Sequence, residues 1–262
     1  MDRRTFIKNS AALLASPTWT KNIIVGKTHI ISLSFDDGFK KSFHRIVQIH
    51  EAYGLKACLN VIAQGHVPGA VKVPSIAAFE LGDFDDWNRF KEKGHEVMPH
   101  SWNHRNLTEM PLEEAKDDID RCLDYFRKNL KGYDDTKAVY NFPFNASTSE
   151  VEDFTLGRVR AVRTGGWLVL NGTRENKMPS REGPLRLGCW SHGPERSDEM
   201  FEGYIQAFLA SEGGWHILNM HGLDGEGWGP VSAGYLDGLF KRLIRIPHLE
   251  VLPVGAVLER AH

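Results

Sequence analysis

The chain has 262 residues, of which 41% are hydrophobic and 25% charged. This is ordinary globular composition, with room for one large domain or two small ones. Lys and Arg number 32 against 34 Asp and Glu, a formal charge of −2, which lacks the basic excess of a nucleic-acid binder. No apolar run approaches the ~20 residues of a membrane-spanning helix. The three scattered cysteines, Cys58, Cys122 and Cys189, are too few for a disulfide framework and read as small buried hydrophobes.

The first residues are Met1-Asp2-Arg3-Arg4-Thr5-Phe6-Ile7-Lys8, followed by a short apolar stretch over 11–15. A basic head before a modest apolar run is targeting grammar, and this one resembles a bacterial twin-arginine export signal. Residues 1–26 are therefore expected to be a leader that sends the protein to the periplasm or cell envelope, with residues 27–262 as one domain. The alternative is a short basic helix on a cytoplasmic protein.

From residue 28 onward strands alternate with helices. Residues 28–35 are β-branched and apolar and end at Asp36-Asp37-Gly38, the pattern of a buried strand and turn. Residues 39–53 carry Phe43, Ile46, Val47 and Ile49 at helical spacing, and Gly54 stops them. Strands follow at 56–63, 95–98, 138–142, 185–190 and 215–220. Helices are expected at 83–93, 111–130, 197–211 (Ser197 as N-cap) and 231–246. Residues 171–184 are polar and read as a long surface loop. Repeated strand-then-helix order predicts a parallel sheet with helices outside, and the size suits a distorted (β/α) barrel of about seven strands.

In such a fold ligands bind at the carboxyl ends of the strands. Those ends carry Asp36-Asp37, His100-Ser101-Trp102-Asn103-His104, Asn141-Phe142-Pro143-Phe144-Asn145 and His221-Gly222-Leu223-Asp224. His100 and His104 are four apart, which on a helical turn would put both imidazoles on one face, able to share a metal. A carboxylate from another strand would complete a two-His, one-Asp set with a position left for water, as in catalytic zinc sites. Successive side chains at a strand end alternate in direction, so Asp36 and Asp37 cannot both face the metal. Each fragment alone has a bland reading as a turn, a surface pair or a core histidine; their convergence at strand ends does not.

Ser34-Phe35-Asp36-Asp37-Gly38 followed by His100-Ser101-Trp102-Asn103-His104 resembles the polysaccharide deacetylase family, the NodB-homology or carbohydrate esterase family 4 domain. Residues 55–61, 94–98, 218–222 and 251–255 resemble that family's second, third, late and closing strands. The resemblance implies a metal held by Asp37, His100 and His104, zinc being the best suited divalent cation. It further implies Asp36 as the base for the attacking water and His221 as the acid for the leaving amine. An oxyanion-binding backbone N–H would lie near Phe144, and the implied partner is an acetylated carbohydrate.

The family's third motif begins with an arginine that orients the catalytic aspartate; here Asn141 stands in that place, and Asn145 replaces a glycine. The family's aspartate beside the acid histidine is not recognisable, and Asp224 is a candidate substitute. Arg163 is read either as a charge in the cleft, with Trp167 as an aromatic wall, or as a surface pairing residue. Among the tryptophans Trp228, in a Gly-rich loop, is the best candidate to stack on a sugar, ahead of Trp102, Trp190 and Trp215. The leading expectation is a metal-dependent deacetylase of N- or O-acetylated sugars. The alternatives are a hydrolase of non-peptide C–N bonds in small molecules and a catalytically silent carbohydrate-binding homologue.

Overall fold

The computed structural model of the protein describes residues 26–165, 176–177 and 185–260. The expected export leader, Trp167 and most of the expected loop at 171–184 lie outside the described residues. Among the described residues there are eight parallel strands: β1 (His29–Phe35), β2 (Cys58–Val61), β3 (Glu96–Pro99), β4 (Val139–Asn141), β5 (Ala161–Gly165), β6 (Leu185–Ser191), β7 (Gly214–Met220) and β8 (Leu249–Val251). The helices are α1 (Lys40–Ala52), α2 (Pro74–Ala77), α3 (Phe84–Glu92), α4 (Leu112–Asn129), α5 (Ser149–Leu156), α6 (Ser197–Leu209), α7 (Ala233–Leu243) and α8 (Val254–Arg260).

Seven strands follow one another in the order β3-β2-β1-β7-β6-β5-β4, with β8 on β1. β8 pairs with the first half of β1 at His29–Ile31, and β2 pairs with its end at Ser34 and Phe35. The edge strands β3 and β4 come together without a ladder. Side chains bridge them instead: His100 Nδ1 donates to the Asn141 carbonyl at 2.8 Å, and Asn141 Nδ2 donates to the Pro99 carbonyl at 3.3 Å. The result is the expected distorted barrel, nearly closed.

Strand alternation separates two cores. Ile31, Leu33 and Phe35 face outward under the amphipathic helices, with Phe43, Ile46, Phe126, Phe201 and Phe240 among their neighbours. Ile30, Val139, Ala161, Leu187, Trp215 and Ile217 fill the lower barrel, where Val254, Val257 and Leu258 of α8 close it. Above that plug the interior turns polar: Ser34, Asp36, Asn60, Asn141, Arg163 and Asn219 are all buried. A polar upper interior needs internal partners for every group, and it is here that the site is assembled.

Two local expectations change. Residues 251–255 are not a closing strand: β8 ends at Val251 and α8 begins at Val254. Ser197 is the first residue of α6, not its cap, and Arg196 holds the cap position in a left-handed conformation.

At the foot of the barrel the Glu96 carboxylate accepts the Gly255 N–H at 2.6 Å and faces the Cys58 thiol at 3.1 Å. Desolvation pushes its carboxyl up to about 7. A raised folded-state value means that the stability cost of Glu96 grows as pH rises from its unfolded value to about 7 and is constant above that. Glu96→Gln is therefore expected to raise stability by about 1–2 kcal/mol at pH 8 and to change little at pH 5. Melting curves at the two pH values would refute this if the variant gained nothing at pH 8.

Candidate metal centre and active site

β1 ends at Phe35, and the chain turns through Asp37 at φ +80° and Gly38 at φ +93°. A Cβ on Gly38 would stand 3.2 Å from the Trp87 ring, so both the conformation and the space favour glycine there. The turn aims Asp37 toward β3. His100 follows β3, and its Nδ1 is committed to the Asn141 carbonyl. That bond fixes the tautomer and turns Nε2 toward Asp37 Oδ1 at 3.5 Å and Asp36 Oδ2 at 3.8 Å. His104 Nε2 reaches the same Asp37 oxygen at 3.3 Å.

The two histidines do not share a helical turn. Residues 100–106 form an irregular loop in which Ser101 and His104 both adopt left-handed φ, +66° and +60°. Ser101 Oγ accepts the His104 N–H at 2.9 Å and sets the bend. The imidazole centroids end 5.0 Å apart.

Donor atoms of Asp37, His100 and His104 lie within 4.8 Å of one another, and all three residues are buried. Among the described residues, Asp37 Oδ1 meets no hydrogen bond although it is buried. A carboxylate oxygen left bare between two imidazoles costs free energy unless a cation completes it. Desolvation pushes the His104 imidazole down to about 4, keeping it neutral at pH 7. Burial would raise the Asp37 carboxyl, but His100 and His104 beside it carry it below its ordinary value. Burial would lower the His100 imidazole, but the Asp36 and Asp37 carboxylates raise it, the pull that the same carboxylates would exert on a metal cation; two imidazoles and an ionised carboxylate therefore fit a divalent metal.

Asp36 points the other way, into the barrel. Asn60 Nδ2 donates to its Oδ1 at 2.7 Å, Asn219 Nδ2 to its Oδ2 at 2.7 Å, and Arg163 grips both oxygens at 3.0 and 2.5 Å. Burial pushes the Asp36 carboxyl up; the Arg163 guanidinium and the neighbouring histidines outweigh this and hold it well below the usual range. Arg163 is fully buried on β5. It is therefore neither a cleft charge nor a surface pairing residue, but the fork behind Asp36. The guanidinium absent at Asn141 thus arrives from the next strand. Asn141 does not reach the cavity: its amide donates to Asn60 Oδ1, Pro99 O and Val139 O. It orients Asn60 through that bond and His100 through its own carbonyl.

A cavity of about 250 Å³ opens over these groups, lined by Asp36, Asp37, His100, His104, Asn145, Ser191, Asn219 and His221. Its mouth carries Phe144, 54% exposed, and Trp228, 42% exposed. Phe144 packs edge-on against His104 at 4.7 Å, and Trp228 edge-on against His221 at 5.7 Å. The Trp228 loop is pinned. Glu226 accepts from the Ser42 backbone N–H at 2.9 Å and from its hydroxyl, and a Cβ on Gly227 would strike Phe39 at 2.4 Å.

The other tryptophans do structural work. Trp215 donates to Ser32 inside the barrel, Trp190 packs on Tyr204, and Trp102 lies under the Arg121 guanidinium. Asp224 does not approach His221. Its Oδ1 accepts the Ala233 N–H at 2.9 Å, which places it at the start of α7. The His221 Nδ1 is buried without a partner among the described residues.

Asn60 and Asn219 were missed as site residues. The available signal was a carboxamide inside an otherwise apolar strand, as in Leu59-Asn60-Val61. Seven non-glycine residues adopt positive φ among those described, and Asp37, Ser101, His104, Phe144 and Asn145 all lie in or beside this cavity. Strained backbone of this kind, at about 1–3 kcal/mol per residue, concentrates where function demands it.

Comparison with solved structures gives the same fold. The Xyl-CE4 domain of a multidomain xylanase from the hindgut metagenome of Trinervitermes trinervoides superposes with a TM-score of 0.56 at 17% identity, over 89% of this chain and 91% of that one. The peptidoglycan deacetylase PdaC of Bacillus subtilis gives 0.55 at 17% identity over 88% and 91%. A mutant of BA3943, described as a pseudoenzyme of carbohydrate esterase family 4, gives 0.54 at 11% over 89% and 68%. No curated protein matches the chain. The polysaccharide deacetylase family model matches residues 25–155, half of the chain and the half that holds Asp36, Asp37, His100 and His104, and the chain belongs to that family.

Proposed function

We propose that the protein is a metal-dependent deacetylase that removes acetyl groups from an N- or O-acetylated polysaccharide or oligosaccharide. The observation that carries this reading is the bare Asp37 oxygen between two imidazoles, beside a second, fully bonded carboxylate. Asp37, His100 and His104 would hold the cation, with zinc the best match to two imidazoles and a carboxylate. When bound, it polarises the acyl carbonyl and acidifies a water.

The other roles fall to the chain's own groups. Asp36 cannot swing, because four donors hold it. It is a weak base and receives a proton only from a strongly acidified water. His221, which lines the same cavity, would supply the proton that the departing amine or alkoxide needs. The Phe144 N–H is the candidate donor to the oxyanion, since Phe144 lines the cavity. The cavity is below the ~300–1,000 Å³ that encloses a whole drug-sized ligand. It suits the acyl group and part of one sugar, with the rest of a chain lying across Phe144 and Trp228.

The test is acetate release from chitooligosaccharides, peptidoglycan fragments, acetylated xylan and poly-N-acetylglucosamine, with metal-loaded and metal-stripped protein. Acetate released only by the loaded form is expected. Silence on every substrate with stoichiometric metal bound would overturn the reading and favour a non-acetyl C–N substrate or a binding role. Trp228→Ala is expected to raise KM for the oligosaccharide about tenfold with kcat within about twofold, as for a contact made equally in ground and transition states. An unchanged KM would exclude stacking.

We also propose that residues 1–26 export the folded domain 27–262 through the twin-arginine route, placing it beside envelope polysaccharides. Replacing Arg3 and Arg4 by lysine should retain the protein in the cytoplasm, as read by fractionation.

A further inference from the structure

The residues buried on α4 are Ala115, Asp118, Ile119, Cys122, Leu123 and Phe126. Asp118 is the one charged member of that stripe. An apolar side chain would suit the position on packing grounds, and a carboxylate there costs free energy unless it is paired. Burial pushes its carboxyl up to about 6, against the pull of the Trp102 N–H and of the Arg105 and Arg121 guanidiniums. The hydrogen bond that it makes leaves the helix: Asp118 Oδ1 accepts the Trp102 backbone N–H at 3.2 Å.

Trp102 lies midway in sequence between the two imidazoles of the metal centre. Three residues of α4 take hold of it, spaced i, i+3 and i+7 along one helix face. Asp118 binds its backbone, the Arg121 guanidinium covers its indole at 4.7 Å, and Tyr125 meets the indole edge-on at 5.4 Å. The segment after β2 holds the loop by its carbonyls: Ser101 O accepts the Ala63 N–H at 3.0 Å and Trp102 O the Gln64 N–H at 2.9 Å. On either side of this anchored residue, Ser101 and His104 sit at positive φ. Local propensity does not maintain such a loop, so contacts from outside it must.

We propose that Asp118 is a positioning residue for the metal centre: through the Trp102 N–H it holds the 100–104 loop in the shape that brings the His104 imidazole to Asp37. This rests on the metal-dependent reading above. Asp118 touches neither metal ligand and acts through the backbone between them.

The experiment measures the zinc affinity of the full chain, by competition with a chromogenic chelator, for the wild type, Asp118→Ala, Asp118→Asn and Asp120→Ala. Asparagine keeps an acceptor oxygen for the Trp102 N–H, and alanine does not. Asp120 lies two residues further along α4 and pairs with Arg158, so its loss perturbs the helix without touching the loop. Asp118→Ala is expected to bind zinc about tenfold more weakly, the lower end of the range for groups that support a ligand from behind. Asp118→Asn and Asp120→Ala should stay within about twofold of the wild type. Wild-type affinity in Asp118→Ala, no recovery in Asp118→Asn, or an equal loss in Asp120→Ala overturns the proposal. Should Asp118→Ala fail to fold, Asp118→Leu, which keeps the stripe apolar and supplies no acceptor, is judged by the same criteria. If the wild type itself binds no zinc, the metal-dependent reading fails, and amide hydrogen exchange of the 100–106 segment in metal-free protein decides the positioning separately. Faster exchange there in Asp118→Ala but not in Asp118→Asn upholds it, and exchange equal to the wild type overturns it.

Discussion

Replacing His104 is expected to strip the protein of its divalent cation. One of three ligands disappears, and the Asp37 oxygen that it faces at 3.3 Å loses half of its setting. Metal affinity should fall at least ~100-fold, since a two-ligand remnant competes poorly with water. The choice of variant matters because His104 sits at φ +60°. Alanine there adds backbone strain to ligand loss, whereas asparagine tolerates the left-handed region. His104→Asn should therefore melt close to the wild type and yet bind less than one metal per ten chains after dialysis, with acetate release lost in parallel. Metal content by mass spectrometry decides the matter: full occupancy in His104→Asn would remove His104 from the ligand set.

Arg163 carries the second large effect. It lies fully buried, and its fork is the only cationic partner of the buried Asp36 carboxylate among the described side chains that hydrogen-bond to it. Arg163→Ala leaves a buried charge supported by two amides alone. Removing one partner of a buried pair costs about 3–5 kcal/mol, which for a chain of this size lowers Tm by about 10 °C. Asp36 would also lose its orientation, so acetate release should fall at least ~100-fold. Lysine is no substitute, because a point charge cannot grip two oxygens at once. The double variant Arg163→Met with Asp36→Asn removes both charges and should recover most of the melting temperature while remaining inactive. Stability that stays low in the double variant would mean that Arg163 supports the barrel in some other way. Activity within tenfold of wild type in Arg163→Ala would mean that the guanidinium does not set the site.

These two residues show different degrees of legibility. His104 stands four residues after His100 in a motif that follows a strand, so its partnership was readable, although the helical turn invoked for it was not the means. Ser101 and His104 in left-handed conformations bring the imidazoles together, and nothing in local propensity announces a loop of that shape. Arg163 was visible as a residue but not as a partner. A lone arginine ending a short apolar stretch reads equally as surface or cleft, and its role depends on β5 lying two strands from β7 and three from β1 across the barrel. Asn141 misled for the same reason. It occupies the sequence position where the family places its guanidinium, while the guanidinium itself has moved one strand over and enters the same interior from there.

The sequence by itself determined the alternation of strands and helices, hence the barrel, and with it the placing of Asp36, Asp37, His100, His104 and His221 at strand ends. Those features are local: period, breakers and motif spacing are written within a few residues of one another. Only the tertiary structure decided which groups face each other across the interior. Arg163, Asn60 and Asn219 meet on Asp36 from three different strands, and Asp224 turns away to α7. Such pairings are set by strand order and by the direction of each Cβ around a closed sheet, which no window along the chain contains.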